Sequence, residues 1–419
     1  MARRPLLPGG RRWRRALDRL EILRGPGADA ARQSLVALVL NSTTSLAAGA
    51  VLGAITDTLE KLPGLLVLVP AAIGLRGNVF SALGNRLSTA IHVGTFRLTA
   101  RPDTLLGQNI AASMALTLSM SLLLAVVAKV VAVGLGVDDT ISVLDLALIS
   151  VVGGLLASLF VLVATVLLAA ASVRYDLDLD NLVAPLVSTV GDVLTLPALW
   201  LATFLVEPDL VAGIGGTGVA AAAVVALVLA WRSRRDVLRR IVRESAPILL
   251  VAGVLSTMAG VTIEKRLATF ATFPALLVLV PAFISSAGAL GGILASRLAT
   301  KLHLGVIAPE SLPPRSARWD AGLVALLAVP VYLFNAVGAH VVAGWLGERS
   351  PGLGHMVTAS LAGGTFAVLF VILVAYYGSV AAFRVGVDPD TYGIPIVTSS
   401  VDFVGAVTLV VAITALGIV

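Results

Sequence analysis

Two aspartates, Asp192 and Asp402, stand inside long apolar stretches of the chain. A carboxylate at membrane depth is costly and calls for a partner. Each ends the same pattern. The first runs Asp180-Asn181, Pro185, Ser188-Thr189, Gly191-Asp192; the second runs Asp390-Thr391, Pro395, Thr398-Ser399, Asp402. Pro185, Ser188, Thr189 and Asp192 fall at i, i+3, i+4 and i+7, as do Pro395, Thr398, Ser399 and Asp402, so each set shares one helix face. Proline removes one rung of the helical ladder and can free a carbonyl one turn earlier. Carboxylate, hydroxyl and carbonyl oxygens together suit a hard cation such as Mg²⁺ or Ca²⁺. Mg²⁺ gives up water reluctantly. Two aspartates flanking an axis would therefore hold it largely hydrated, through water or one direct bond. The bland alternative is a pair of protonated aspartates that only join helices.

Other residues carry weaker signals. Asp178, Asp180, Asp388 and Asp390 precede these two helices and read as N-terminal caps or as an acidic vestibule that concentrates cations. Gly74-Leu75-Arg76-Gly77-Asn78 predicts the broken end of an apolar helix, with backbone opened to a cavity; Asn78 lines that cavity or caps the helix. The corresponding Ser285-Ser286-Ala287-Gly288-Ala289 keeps only the glycine, Gly288 for Gly77, so the lining is expected to be asymmetric. Arg86 and Arg297 read as cytoplasmic anchors or carbonyl caps rather than gates, His92 and His303 as structural residues rather than metal ligands, and Lys129 as a side chain snorkelling to the outer interface. Glu60, Glu264 and Asp145 are weak candidates for attracting cations at the outer face.

The elements that must position these residues are membrane helices. The 419 residues are 58% hydrophobic and only 13% charged, with mean hydropathy +0.99, and apolar runs of spanning length recur along the chain. Eleven spans are expected: Ser34–Thr56, Gly64–Ser81, Leu106–Leu135, Ser142–Ala171, Leu182–Val206, Leu210–Trp231, Pro247–Ile263, Pro274–Leu294, Ala321–Leu346, Met356–Ala382 and Ile394–Ile418. With the N-terminus in the cytoplasm, inward-facing segments hold 24 of the 30 Lys and Arg, against Lys61, Lys265, Arg266 and Arg349 outside. Charge bias of this kind sets orientation, and it leaves the C-terminus outside. The nine arginines before Gln33 read as an anchor beside anionic lipid, not as a cleaved signal or a nucleic-acid arm.

The chain is also duplicated. Shifted by 211 residues, Pro63–Gly94 aligns on Pro274–Gly305 without a gap and with 16 identities in 32 positions. Arg32-Gln33-Ser34 matches Arg243-Glu244-Ser245 at the same shift, and the two aspartate motifs match at 210. The organisation that follows is a basic segment over residues 1–31, a first repeat over 32–206, a linker helix with a basic loop over 207–242, and a second repeat over 243–419. Each repeat has five spans. The linker span restores the orientation of the second half, so the fold class is an all-α polytopic membrane protein of two parallel repeats related by an axis along the membrane normal.

Several classes are excluded. Without cysteine there is no disulfide, thiolate site or thiol catalysis. No Walker loop, Ser/His/Asp set or metalloprotease motif is present, so no enzyme activity or organic cofactor is expected.

The residues resemble the MgtE-type magnesium transporters, and within them the solute carrier family 41 branch, in which two MgtE-like halves are fused. The motifs that carry the resemblance are Pro70 with Gly74-Leu75-Arg76-Gly77-Asn78 and Asn85-Arg86-Leu87-Ser88-Thr89; Asp180-Asn181 with Pro185, Ser188-Thr189, Gly191-Asp192 and Thr195; Gly288 with Ser296-Arg297-Leu298-Ala299-Thr300 and His303; and Asp388-Pro389-Asp390-Thr391 with Pro395 and Asp402. The resemblance implies Mg²⁺ transport through a pore between two five-helix units. Its pore aspartate falls on Asp192 and Asp402, with nearby hydroxyl and backbone groups on Ser188, Thr189, Thr398 and Ser399. Ala289, opposite Asn78, departs from the pattern. Bacterial homodimeric relatives carry cytoplasmic CBS-type regulatory domains, where this sequence has its short basic segment. The reading is a multi-pass transporter of Mg²⁺ and related divalent cations in the membrane of a prokaryotic cell. A single chain supplies both pore halves, a homodimer stays open, and lipid is the surrounding partner. The alternatives are a Na⁺- or H⁺-coupled Mg²⁺ exporter and, in another class, a non-transporting receptor or scaffold.

Overall fold

A computed structural model describes residues 26–137, 140–175, 179–206, 209–385 and 394–418. The described residues form thirteen helices and no strand: α1 Pro26–Ala54, α2 Thr56–Lys61, α3 Leu65–His92, α4 Leu105–Gly134, α5 Val143–Tyr175, α6 Leu179–Thr203, α7 Asp209–Trp231, α8 Asp236–Glu264, α9 Leu267–Thr272, α10 Ala275–His303, α11 Arg315–Leu346, α12 Leu353–Val385 and α13 Ile394–Ala415. Ten of them are long and apolar enough to cross a membrane. In α6, the remaining expected span, the apolar part with described side chains is Thr189–Thr203. Helices satisfy their own backbone polar groups, which hydrocarbon cannot.

The repeat is visible in the packing. Helices α1 to α6 correspond to α8 to α13, and α7 is the linker. The first helix of each repeat leaves its own neighbours and packs on the second and third helices of the other repeat, α1 on α10 and α11, and α8 on α3 and α4. Each also touches its own repeat's last helix, α1 on α6 and α8 on α13. Continuing through the pairs α3–α6 and α10–α13, these contacts close a six-helix ring in the order α1, α10, α13, α8, α3, α6. Helices α4, α5 and α7 pack outside one side of it, and α11 and α12 outside the other. In the apolar windows of α10 and α3, 72% and 61% of residues are buried, against 17% in α7. With α5 at 67%, the second helices share the interior with an outer helix of the first repeat, and the linker lies at the rim.

Small residues make the exchange close. A Cβ on Gly49 of α1 would meet the backbone carbonyl of Val278 in α10, and one on Gly260 of α8 would meet that of Val67 in α3. Both residues of each pair are related by the 211-residue shift. Such small-residue contacts let backbones approach where lipid provides no hydrophobic drive for helix association.

The helix ends show how the outer connections are fixed. Gly64 precedes α3 in a left-handed conformation, φ 90°, and its N–H donates to Glu264 Oε1 at 2.8 Å. The last residue of α8 thus caps the start of α3 in the other repeat, where orphan N–H groups favour a carboxylate. Ser142 N donates to Asp145 Oδ2 at 3.2 Å and Asp145 N to Ser142 Oγ at 3.1 Å, a reciprocal cap at the start of α5. Lys129 Nζ reaches the α4–α5 connection, donating to Thr140 O at 2.7 Å and Ile141 O at 3.0 Å.

One expectation is corrected here. Gly74–Asn78 does not break the helix: α3 runs through it to His92, and α10 likewise runs to His303. An opened ladder would leave N–H and C=O groups without water partners, and the polar residues beyond the apolar run find side-chain partners instead. Arg86 Nε donates to Asn109 Oδ1 at 2.7 Å. The repeat-equivalent pair is ionic, Arg297 to Asp320 at 3.6 Å, with Lys301 joining the same carboxylate. Both arginines are therefore partnered by the next helix of their own repeat rather than capping carbonyls.

Candidate functional site

Asp192 sits in α6, and only 5% of its surface is exposed. Its Oδ2 accepts from Ser45 Oγ of α1 at 3.2 Å and from Ser285 Oγ of α10 at 3.4 Å. Ser285 is itself held by Asn41 of α1, whose Nδ2 donates to Ser285 Oγ at 3.0 Å. Next to it Ser42 and Ser286 hydroxyls lie 3.1 Å apart, and Asn335 Nδ2 of α11 donates to Ser286 Oγ at 2.8 Å. A polar network therefore crosses α1, α6, α10 and α11 at the level of the carboxylate.

Asp402 in α13 is the counterpart. Its Oδ2 accepts from Ser256 Oγ of α8 at 3.1 Å, and Ser256 is the repeat equivalent of Ser45. Gly288 of α10 brings its backbone alongside, so that a Cβ there would lie 3.7 Å from Asp402 Oδ1. Among the described residues α6 and α13 themselves make no more than a glancing contact.

Beside Ser256 lies a small cavity walled by Gly74 and Asn78 of α3, Ala252 and Gly253 of α8, and Ser399 of α13. It has room for about one water molecule. Asn78 thus lines a cavity from the middle of α3, and the capping alternative falls with the unbroken helix. Ser399 is buried and faces the same space. Thr398 Oγ1 donates back to Pro395 O at 3.2 Å. Thr189 is half-buried in α6, and Gly77 is half-buried in α3.

The remaining expected residues fall elsewhere. Asp178, Asp388 and Asp390 lie outside the described residues, as do the side chains of Asp180 and Ser188. His92 and His303 bind the carbonyls of Ser88 and Ala299 one turn back, each at 2.9 Å. Glu264, expected as an outer attraction site, is buried as a helix cap. Among the described residues no three His, Cys, Asp or Glu side chains gather as a metal cluster.

Sequence reasoning missed Ser45, Ser256, Ser285 and Asn41, the groups that hold the carboxylates. A signal existed for the first two, since serine recurs at one repeat position. Arg76 was passed over as well. It is 1% exposed, its Nη1 donates to Ala72 O, and its Nε and Nη2 have no hydrogen-bond partner. The guanidinium fills space beside Ser121 and Gly154. In the other repeat Ala287 replaces it, and the Tyr332 ring, at the position of Ser121, packs beside Gly364 instead.

The family model described as MgtE, divalent cation transporter, matches residues 69–202 and 280–412. Both matched segments end beyond the aspartates just described. Solute carrier family 41 member 2 of Homo sapiens is 25% identical over 409 residues, covering 90% of this chain and 69% of that protein. The Xenopus laevis member 2 is 26% identical over 408 residues, 91% and 71% of the two chains. Solute carrier family 41 member 3 of Rattus norvegicus is 23% identical over 401 residues, 89% and 84%. No solved structure matches.

Proposed function

Because the chain belongs to the MgtE family of divalent cation transporters, we propose that it moves Mg²⁺ across a membrane, along the interface of its two repeats and past Asp192 and Asp402. The observation that carries this reading is the pair of carboxylates at repeat-equivalent positions, Asp192 buried and Asp402 half-buried, each held by a repeat-equivalent serine. Serine donors hold the carboxylate oxygens in place and leave other lone pairs for an ion or its water shell. The oxygen-only surroundings favour a hard cation over a transition metal.

In this reading the basic loops face the cytoplasm and the ion follows the inside-negative potential. A divalent ion gains about 4.6 kcal/mol per 100 mV, twice the single-charge figure, which drives uptake without a coupled gradient. The pore needs only one chain, since both aspartates are on it.

The test is Mg²⁺ entry into proteoliposomes loaded with a Mg²⁺ indicator, under a K⁺-diffusion potential and without Na⁺. Flux should follow the imposed voltage and fall in Asp192→Asn, in Asp402→Asn and most in the double variant. Flux that starts only when Na⁺ or a proton gradient is added would replace the passive pathway by coupled exchange. Full flux in the double variant would remove the aspartates from the path.

A further inference from the structure

We propose that Arg76 sets how tightly the transported cation is held: its buried positive charge, present in one repeat only, opposes the carboxylates of Asp192 and Asp402 so that a divalent ion can leave them. This role rests on the transport reading above and adds to it a residue that determines affinity and exit.

Arg76 stands in α3 at the level of both aspartates. Gly74 and Asn78, two residues before and two after it, wall the cavity that Ser256 also lines, and Ser256 donates to Asp402. Arg76 itself meets α6 at Gly191, where a Cβ would lie 3.7 Å from the Arg76 Cβ; the next residue is Asp192. The side chain turns back along its own helix, where Nη1 donates to Ala72 O. It is 1% exposed, and Nε and Nη2 have no hydrogen-bond partner. Among the described residues no carboxylate forms an ion pair with it. Arg86, the next cation along α3, is bonded to Asn109 and has its counterpart in Arg297, so it does not distinguish the repeats.

Packing does not require this charge, because the other repeat fills the same place without it. Ser150 Oγ donates to Ser121 O at 2.7 Å, and at the equivalent positions Ser360 Oγ donates to Tyr332 O at 2.8 Å. A Cβ on Gly154 would meet Arg76 Nη2, and one on its equivalent Gly364 would meet the Tyr332 ring. One frame of serine and glycine is therefore filled by a guanidinium in the first repeat and by a phenol in the second, where Ala287 takes the position of Arg76. A buried charge without a partner lowers stability, and an unsatisfied buried group calls for a reason outside packing. At membrane depth that reason is function by default.

What such a charge does follows from Coulomb's law. Its field carries further in a protein interior than in water, and its effect on an ion is proportional to the ion's charge. A fixed cation beside the path therefore raises the energy of a divalent ion twice as much as that of a monovalent one. Two ionised carboxylates alone would make a deep trap for a divalent ion, whereas conduction needs binding weak enough for the ion to leave. One guanidinium offsets half of their charge.

The experiment compares the wild type with Arg76→Met, which removes the charge, and Arg76→Lys, which keeps it, each as the detergent-purified full chain and in proteoliposomes. The Mg²⁺ concentration for half-maximal thermal stabilisation should fall about tenfold in Arg76→Met. Na⁺ binding, read from how Na⁺ moves that Mg²⁺ concentration at constant ionic strength, should tighten only about threefold, the square root of the divalent effect. Mg²⁺ flux at saturating concentration should fall, because exit slows. Tighter binding with slower flux separates a charge effect from a damaged fold, which weakens both. Arg76→Lys should stay near the wild type in all three. Arg76→Gln repeats the test if the methionine variant fails to fold. An unchanged or raised Mg²⁺ half-point without the charge, equal tightening for Na⁺ and Mg²⁺, or a lysine variant that behaves as the methionine one would overturn this role while leaving transport intact. A wild-type protein with neither Mg²⁺ flux nor Mg²⁺-dependent stabilisation would overturn the transport reading and this role with it.

Discussion

The exchange of first helices can be broken by a single methyl group. A Cβ on Gly49 would lie 2.9 Å from Val278 C, and one on Gly260 would lie 2.7 Å from Val67 C. Carbon atoms in contact prefer roughly 3.5–4.0 Å, so alanine at either position must open its crossing by roughly 0.6–1.3 Å. Backbone carbonyls cannot turn aside as a side-chain tip can. Overpacking of this kind costs about 1–3 kcal/mol. The consequence reaches the site because Ser45 and Ser256 lie one turn from these glycines, on the same helices. Their bonds to Asp192 and Asp402 are already 3.2 and 3.1 Å long, and an added ångström takes them past hydrogen-bonding range. Losing a bond to a charged group costs about 1.5–3 kcal/mol more. Gly49→Ala and Gly260→Ala should therefore each lower the melting temperature of the purified protein and cut Mg²⁺ flux about tenfold or more. The control is Gly292→Ala in α10, where an added Cβ meets nothing within 4 Å; it should be neutral or more stable by about 0.5–1 kcal/mol. Wild-type melting and flux in either of the first two variants would refute the close crossing and the path from it to the aspartates.

Three further outcomes follow from the packing. Glu264→Ala leaves the buried Gly64 N–H without its acceptor and should destabilise by about 1–3 kcal/mol, read as a lower melting temperature; an unchanged value would mean the cap is dispensable. Asp320→Ala strips the shared partner from Arg297 and Lys301 and should destabilise more than Asp320→Asn, because the other repeat serves its arginine with a neutral Asn109; equal melting of the two would refute the repeat comparison. Arg76→Met removes a buried cation with two unpartnered nitrogens and should stabilise by about 1–4 kcal/mol. A fall in melting temperature instead would show that the guanidinium is paired in the folded protein.

The sequence by itself determined the class of the fold and the identity of the charged pair. Spans are legible because hydrocarbon demands long apolar helices, a requirement local in the chain. The duplication is legible because both copies kept Pro70/Pro281, Gly77/Gly288 and Arg86/Arg297 in one register. Asp192 and Asp402 are legible because a carboxylate in such a helix has no cheap structural explanation. The tertiary structure alone decided who touches whom. Nothing local in Ser34–Thr56 says that α1 packs on the far repeat, since a glycine contact between backbones leaves the same composition whichever partner it meets. The shell of each aspartate was hidden for the same reason: Ser45, Ser285 and Asn41 are scattered over 244 positions of chain and look like ordinary small polar residues until the exchange brings them together. The sequence did announce that the repeats differ, with Asn78 against Ala289 and Gly74 against Ser285. It could not say that Gly74 and Asn78 wall a cavity together with Ser256 and Ser399 of the other repeat, because volume is settled by packing between helices and not along one.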